Sequence, residues 1–233
     1  MKNEKNYFNS LKLLQHYKFH KNSVIDKILK YDYLTTFKIY NLSSENTKVL
    51  RILRFLSFLG SAPFFIILMS IFYFYGDLFY DIYLKNFGLM MFSGGVFLNL
   101  IFLTIPKYFL KRKRPYNDEL FEKIFKLKIK NRDPEFGRGR TQSFPSGHAF
   151  FWGFLVLIVP YYFGLIYLPI LIILLIIIDF SRIYFGCHFV SDVLIGTVFG
   201  LISSFIVISL FDSVFKPTIY LFYYIMKGYV FRN

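Results

Sequence analysis

Residues Ile166-Tyr-Leu-Pro-Ile-Leu-Ile-Ile-Leu-Leu-Ile-Ile-Ile-Asp-Phe-Ser-Arg-Ile-Tyr184 decide how this chain is read. A helix over them is about 28 Å long at ~1.5 Å per residue, close to the ~30 Å hydrocarbon thickness of a bilayer. Through Ile178 the side chains are aliphatic except for Tyr167 and Pro169, and Asp179, Ser181 and Arg182 then arrive together at one end. The stretch reads as a membrane span with charge at its end. Ionisable side chains at that depth are costly, and they commonly mark function.

Further apolar stretches flank it. Ala149–Phe163 precedes it across a tight turn near Pro160 and Gly164, and Phe189–Phe211 follows. Upstream, Phe55–Tyr75 and Phe87–Pro106 are long enough to cross as well. The fold class expected is all-α: a multi-pass transmembrane helical bundle of about five spans. Pro217–Val230 is apolar and aromatic but short, and reads as interfacial. In 24–52, Ile25, Ile28, Leu29, Leu34, Phe37 and Ile39 are interleaved with Lys27, Lys30, Asp32 and Lys38, the pattern of an amphipathic surface helix. The organisation predicted is a basic N-terminal segment, 1–52, and a transmembrane domain, 53–233, with one large polar loop at 107–147. No internal repeat is visible, and Met1–Phe19 lacks the uninterrupted apolar core of a secretory signal because Lys2, Lys5, Lys12 and Lys18 break it.

Composition agrees. Of 233 residues 55% are hydrophobic, and the mean hydropathy is +0.46. The single cysteine, Cys187, excludes an internal disulfide framework. The net charge of +14 is concentrated: 1–54 and 107–144 hold 23 of the 28 Lys and Arg residues. Basic blocks bordering apolar runs suit anionic lipid headgroups or an anionic substrate better than nucleic acid. With five spans both blocks share one face, which the positive-inside rule would make cytoplasmic.

Three polar clusters lie where spans meet loops. In Lys107-Tyr-Phe-Leu-Lys-Arg-Lys-Arg114-Pro115, Lys107 and Arg114 are seven apart, so on a continuous helix ended by Pro115 both project from one face. The bland alternative is a basic flank, with Lys111, Arg112 and Lys113 meeting headgroups or water. In Phe144-Pro-Ser-Gly-His148, Ser146 is a good N-cap and Gly147 lets a ligand approach the backbone. A helix start also favours an anion, and His148 in the first turn is placed to give a proton to a leaving oxygen. A simple helix cap explains this cluster equally well. In Ser181-Arg182-Ile-Tyr-Phe-Gly186-Cys187-His188-Phe-Val-Ser-Asp192, His188 and Asp192 are four apart and face each other on a helix. The carboxylate would fix the imidazole tautomer and leave the other nitrogen nucleophilic. Arg182 suits a phosphate fork, and Gly186 suits a turn between the two. A structural His–Asp bond with a snorkelling arginine is the competing reading. Jointly, two histidines, three cations, a Ser-Gly cap and an aspartate on one membrane face describe a site for a tetrahedral oxyanion.

The pattern Lys107-x6-Arg114-Pro115, Pro145-Ser146-Gly147-His148, and Ser181-Arg182-x5-His188-x3-Asp192 resembles the three signature motifs of the type 2 phosphatidic acid phosphatase superfamily, which also includes bacterial acid phosphatases and vanadium haloperoxidases. The resemblance implies that His188 attacks phosphorus and forms a phosphohistidine, that Asp192 orients it, and that His148 protonates the departing alkoxide. It implies that Lys107, Arg114, Arg182, Ser146 and Gly147 stabilise the phosphoryl oxygens. No cofactor and no metal are called for; the substrate implied is a lipid phosphate or diphosphate, with membrane lipids as surroundings and no nucleic acid partner. Many membrane members have six spans and an extracytoplasmic site, so the side of the membrane stays open.

Other residues read as structural. His16 and His20 lack a third ligand and suit a solvated face. Asp179 is expected to pair with Arg182 one turn on or to anchor it. Gly196-x3-Gly200 permits close helix contact, and the motif gives Cys187 no chemical role. A phosphotransferase using the same residues, a membrane scaffold and a transporter are the alternatives. A transporter predicts charge near mid-membrane, where only Asp179 lies.

Overall fold

The structure is a computed structural model that describes residues 13–14, 17–42, 47–133, 142–221 and 225. Among them the regular structure is helical, apart from an isolated bridge between Lys113 and Gln142. Helix α1 is Ser23–Asn41, capped by the Asn22 side chain, which accepts from the amides of Val24 and Ile25. Helix α2, Thr47–Phe58, meets α3, Ala62–Leu78, at a 49° bend. Ser61 caps α3 by accepting from the Phe64 amide. Helix α4, Ile82–Leu110, contains two wide turns, Ser93–Leu98 and Leu100–Thr104. A short α5, Glu119–Phe125, lies in the polar loop. Helices α6, Gly147–Phe163, α7, Leu165–Tyr184, and α8, Val190–Leu221, complete the bundle.

The five apolar stretches expected to cross a membrane fall on this bundle, and the chain is an integral membrane protein. By length and composition α4, α7 and α8 each suffice to cross a bilayer, and the bent α2–α3 pair adds a fourth span if taken as one. Helix α6 is apolar but only 17 residues long, about 25 Å. The expected span over 55–75 is thus two helices at an angle. Of the expected interfacial segment, α8 reaches Leu221, and most of the remainder lies outside the described residues.

Helices α6 and α8 form the centre. A Cβ on Gly200 would stand 2.2 Å from the Phe150 carbonyl oxygen, and one on Gly196 would stand 2.5 Å from that of Ser146. The close approach expected of this glycine pair is therefore present, between helices of one bundle. Around it Phe65, Phe87, Met91, Phe150, Phe154, Ile158 and Ile178 are buried in one apolar cluster. At the far end, remote from the polar loop, Tyr83 and Tyr162 exchange hydroxyl-to-carbonyl hydrogen bonds and tie the start of α4 to the end of α6.

One expectation changes substantially. Residues 24–52 are not one surface helix. Helix α1 ends at Asn41, a second helix begins at Thr47, and the inner face of α1 is buried. Tyr33, Phe37 and Tyr40 pack with Phe121, Phe125, Ile129 and Phe189, Phe37 stacking on Phe125 at 4.1 Å and Tyr33 on Phe189 at 5.0 Å. Tyr33, Phe37 and Tyr40 thus turn one face of α1 onto aromatic groups from the polar loop and the start of α8, while Ile25 and Ile28 of the expected stripe stay exposed.

Candidate active site

The third cluster is built around a turn. Helix α7 ends at Tyr184, and Gly186 takes φ 72°, a left-handed conformation that suits glycine. The amides of Cys187 and His188 both donate back to the Arg182 carbonyl, at 3.1 and 3.3 Å. Helix α8 starts at Val190, so His188 sits in the loop mouth and Asp192 in the first turn of α8. Asp192 Oδ2 lies 3.7 Å from His188 Nδ1, longer than a hydrogen bond, and accepts from the Phe189 amide at 2.9 Å.

The second cluster docks directly on this turn. Ser146 accepts from the Ala149 amide and caps α6, while its own amide donates to the Asp192 carbonyl at 2.9 Å. The starts of α6 and α8 are therefore adjacent. His148 packs on Gly60, where a Cβ would come within 2.9 Å of its ring Cδ2, and Trp152 donates to the Leu59 carbonyl at 3.1 Å. The α2–α3 bend thereby makes room for the His148 ring. Gly147 is open: a Cβ there would meet its nearest neighbour, Leu103, at 3.7 Å.

The first cluster corrects the sequence reading. Lys107 and Arg114 do not share a helix face, because α4 stops at Leu110 and Lys111 takes the left-handed conformation at φ 44°. Pro115 starts a short 3-10 turn instead of ending a helix. Extended backbone delivers Arg114, which is buried and donates to the carbonyls of Gln142 and Cys187 at 3.2 and 3.3 Å. Burial, then the charges of Arg114, Arg182 and Lys107, hold the His188 imidazole well below its ordinary range, with a backbone contact from Ser143 opposing. A ring so placed is neutral at pH 7.

Arg182 is 1% exposed and is pinned by Nη1 to Asp133 Oδ2 and Ser57 Oγ, both at 2.5 Å. This replaces the expected Asp179–Arg182 pair. Asp179 Oδ2 instead accepts from the Thr197 hydroxyl at 2.8 Å, joining α7 to α8. Asp133, 2% exposed, comes from the polar loop, whose backbone is strapped to α7. Arg132 donates to the carbonyls of Tyr40 and Tyr184, and its guanidinium lies 3.8 Å over the Tyr40 ring. Among the described residues, Arg182 Nε has no hydrogen-bond partner.

Arg112 is the larger correction. It does not lie among headgroups or water: Nη1 donates to Asp192 Oδ1 at 2.7 Å and Nη2 to Asp32 Oδ2 at 2.6 Å. Sequence reasoning passed over Arg112, Asp32, Asp133 and Ser57. For Asp32 a signal exists, since Asp32, Thr36 and Tyr40 repeat every four residues beside the apolar stripe. The loop carrying Asp133 offers no periodicity. Of the histidine pair weighed as metal ligands, His16 lies outside the described residues, and His20 is exposed with Nδ1 accepting from the Asn22 amide.

The architecture has relatives. A family model described as the PAP2 superfamily matches residues 83–216. Among solved structures, the chain is similar to LpxE of Aquifex aeolicus, with TM-score 0.55 and 21% identity over 75% of this chain and 93% of that one. It is also similar to a transmembrane PAP2-type phosphatidylglycerolphosphate phosphatase of Bacillus subtilis, with TM-score 0.61 and 20% identity over 91% of this chain and 97% of that one. At this identity the two structures establish a shared fold. No curated protein matches by sequence.

Proposed function

The chain belongs to the PAP2 superfamily, and from that premise and the site geometry we propose that it hydrolyses a phosphate ester on a lipid through a phosphohistidine at His188. The observation that carries the reading is a buried imidazole in a turn held by two arginines: Arg114 donates to the adjoining Cys187 carbonyl at 3.3 Å and the Arg182 carbonyl accepts from the His188 amide at 3.3 Å, while the charges of Arg114, Arg182 and Lys107 favour its neutral form. A neutral imidazole near fixed positive charge suits a substrate that brings negative charge to the ring.

In the proposed reaction His188 Nε2 attacks phosphorus. The bond from phosphorus to the alcohol oxygen breaks, and that oxygen takes a proton from His148. Asp192 faces the Nδ1 side and balances the charge that the ring acquires. His148, now neutral, takes a proton from water, whose oxygen attacks the phosphohistidine and releases inorganic phosphate. The three cations and the start of α6 at Ser146 and Gly147 hold the phosphoryl oxygens. This assigns charge stabilisation to fixed side chains, so the reaction is expected to proceed in EDTA.

Support for a lipid as the esterified alcohol comes from the surroundings. The site sits at the ends of membrane helices, and an apolar groove of about 390 Å³ runs from Leu59 and Trp152, four residues after His148 on α6, to Phe163 and Tyr167. The purified protein should release phosphate from members of a lipid phosphate and diphosphate panel in EDTA and incorporate labelled phosphate in an acid-labile, base-stable linkage. His188→Ala should lose both while remaining folded in detergent; unchanged turnover in that variant would remove the mechanism. Adding acceptor alcohols separates hydrolysis from transfer.

A further inference from the structure

We propose that Arg112 and Asp32 are positioning residues for the His188 chemistry, so that helix α1 is a working part of the active site. The inference rests on the hydrolytic reading of His188 given above. The Asp192 carboxylate is fully buried, and Arg112 Nη1 supplies its charged partner at 2.7 Å. A buried carboxylate without a cation tends to take up a proton, and a protonated Asp192 could not balance charge on His188. Arg112 is held in turn. Its guanidinium lies 3.9 Å over the Phe189 ring, Nη1 also donates to Ser191 Oγ at 2.7 Å, and Nη2 is gripped by Asp32 at 2.6 Å. Burial disfavours its charge, but Asp192 and Asp32 outweigh this and raise its pKa above the ordinary arginine value. It therefore stays charged.

Helix α1 also caps the helix that bears Asp192. The first amides of α8 need acceptors. The Ser191 amide finds Asp32 Oδ1 at 2.8 Å, the Val190 amide finds Thr36 Oγ1 at 3.2 Å, and the Ser191 hydroxyl donates to Asp32 Oδ2 at 2.6 Å. Two side chains one turn apart on α1 thus do for α8 what a local cap residue does elsewhere. The carboxylate facing His188 is set by a chain of contacts, from Asp32 to Arg112 to Asp192, that begins about 75 residues before the matched signature motifs start. None of the three motifs contains Asp32, and Arg112 is one of the unspecified positions in the first.

The test is steady-state kinetics of the full chain in detergent with p-nitrophenyl phosphate and a lipid phosphate, together with rapid-quench measurement of phosphoenzyme formation. Arg112→Gln and Asp32→Asn should each lower kcat and the rate of phosphoenzyme formation by about tenfold or more while KM changes little. Arg112→Lys, which keeps the charge, should recover part of the loss. The melting temperature is measured alongside, and rates are expressed per folded molecule. Wild-type kcat per folded molecule in Asp32→Asn and Arg112→Gln, or equal loss in Arg112→Gln and Arg112→Lys, would overturn the proposal and leave a purely structural network. A wild-type protein that releases phosphate without any phosphohistidine would instead overturn the reading of His188.

Discussion

At the residue scale, the charges around His188 make a directional claim about pH. In the proposed reaction the ring must be neutral to attack, and burial followed by Arg114, Arg182 and Lys107 depresses its pKa. The acid limb of the rate profile due to this ring therefore lies below the ordinary histidine value of about 6.5. Arg114→Gln removes one positive neighbour, which raises the pKa and moves the limb to higher pH, whatever it does to the absolute rate. A pH series of kcat/KM on a soluble phosphate ester checks this; a limb that stays in place or moves down would contradict the electrostatic account. Asp133 permits a stability prediction. It and Arg182 are both buried and meet at 2.5 Å, so Asp133→Ala strands a buried cation, at a cost of about 3–5 kcal/mol. Denaturant titration in detergent should show it, with Ser57→Ala costing less because a neutral partner is lost. Most residues near His188 were legible beforehand because motif spacing marks chemistry. Their placement was not. The break at Lys111 has no proline or glycine to announce it, so the seven-residue spacing reads as a shared face and Arg112 as a membrane flank. Asp133 was invisible because its value depends on a partner 49 residues away.

At the scale of elements, the span pattern was legible because twenty apolar residues allow few alternatives. Register was legible only where glycine gave it away. Gly196 and Gly200 predicted close contact, and it is found against α6; but only the structure tells apart glycines needed for packing from those needed for a ligand. Gly200 is of the first kind. An Ala there would place Cβ 2.2 Å from the Phe150 carbonyl oxygen and 2.7 Å from the Phe154 amide nitrogen, both backbone atoms that cannot turn aside. Gly200→Ala should therefore lower stability by at least the ~1–3 kcal/mol typical of overpacking, with turnover per folded molecule retained. On the proposed reading Gly147 is of the second kind: a Cβ there meets nothing nearer than 3.7 Å, so packing does not require the glycine. Gly147→Ala should leave the melting temperature near wild type and weaken turnover, because the methyl group would crowd a phosphate at the start of α6. The reverse pattern, a large stability loss at Gly147 with normal turnover, would remove that helix start from the site.

For the whole molecule, the sequence left the site's side of the membrane open, since basic blocks and family resemblance point opposite ways. The structure constrains the relation between parts instead. Helix α1 contacts Arg112 and Ser191 directly, so α1, the polar loop and the site belong to one face. The turn between α3 and α4 is separated from that face by the length of α4, and Tyr80 within it is 95% exposed. Cysteine labelling can read this arrangement, because the native Cys187 is buried and its thiol is held protonated by burial. In sealed vesicles of one orientation, a membrane-impermeant maleimide should reach Lys27→Cys from the same side on which an impermeant phosphate ester is hydrolysed, and Tyr80→Cys from the opposite side. Both sites are remote from the proposed chemistry, so both variants should keep wild-type turnover. If Lys27→Cys were labelled only from the side that does not hydrolyse the ester, α1 could not reach Arg112 in the membrane. The contacts that join the basic N-terminal segment to the turn around His188 would then not exist in the working protein.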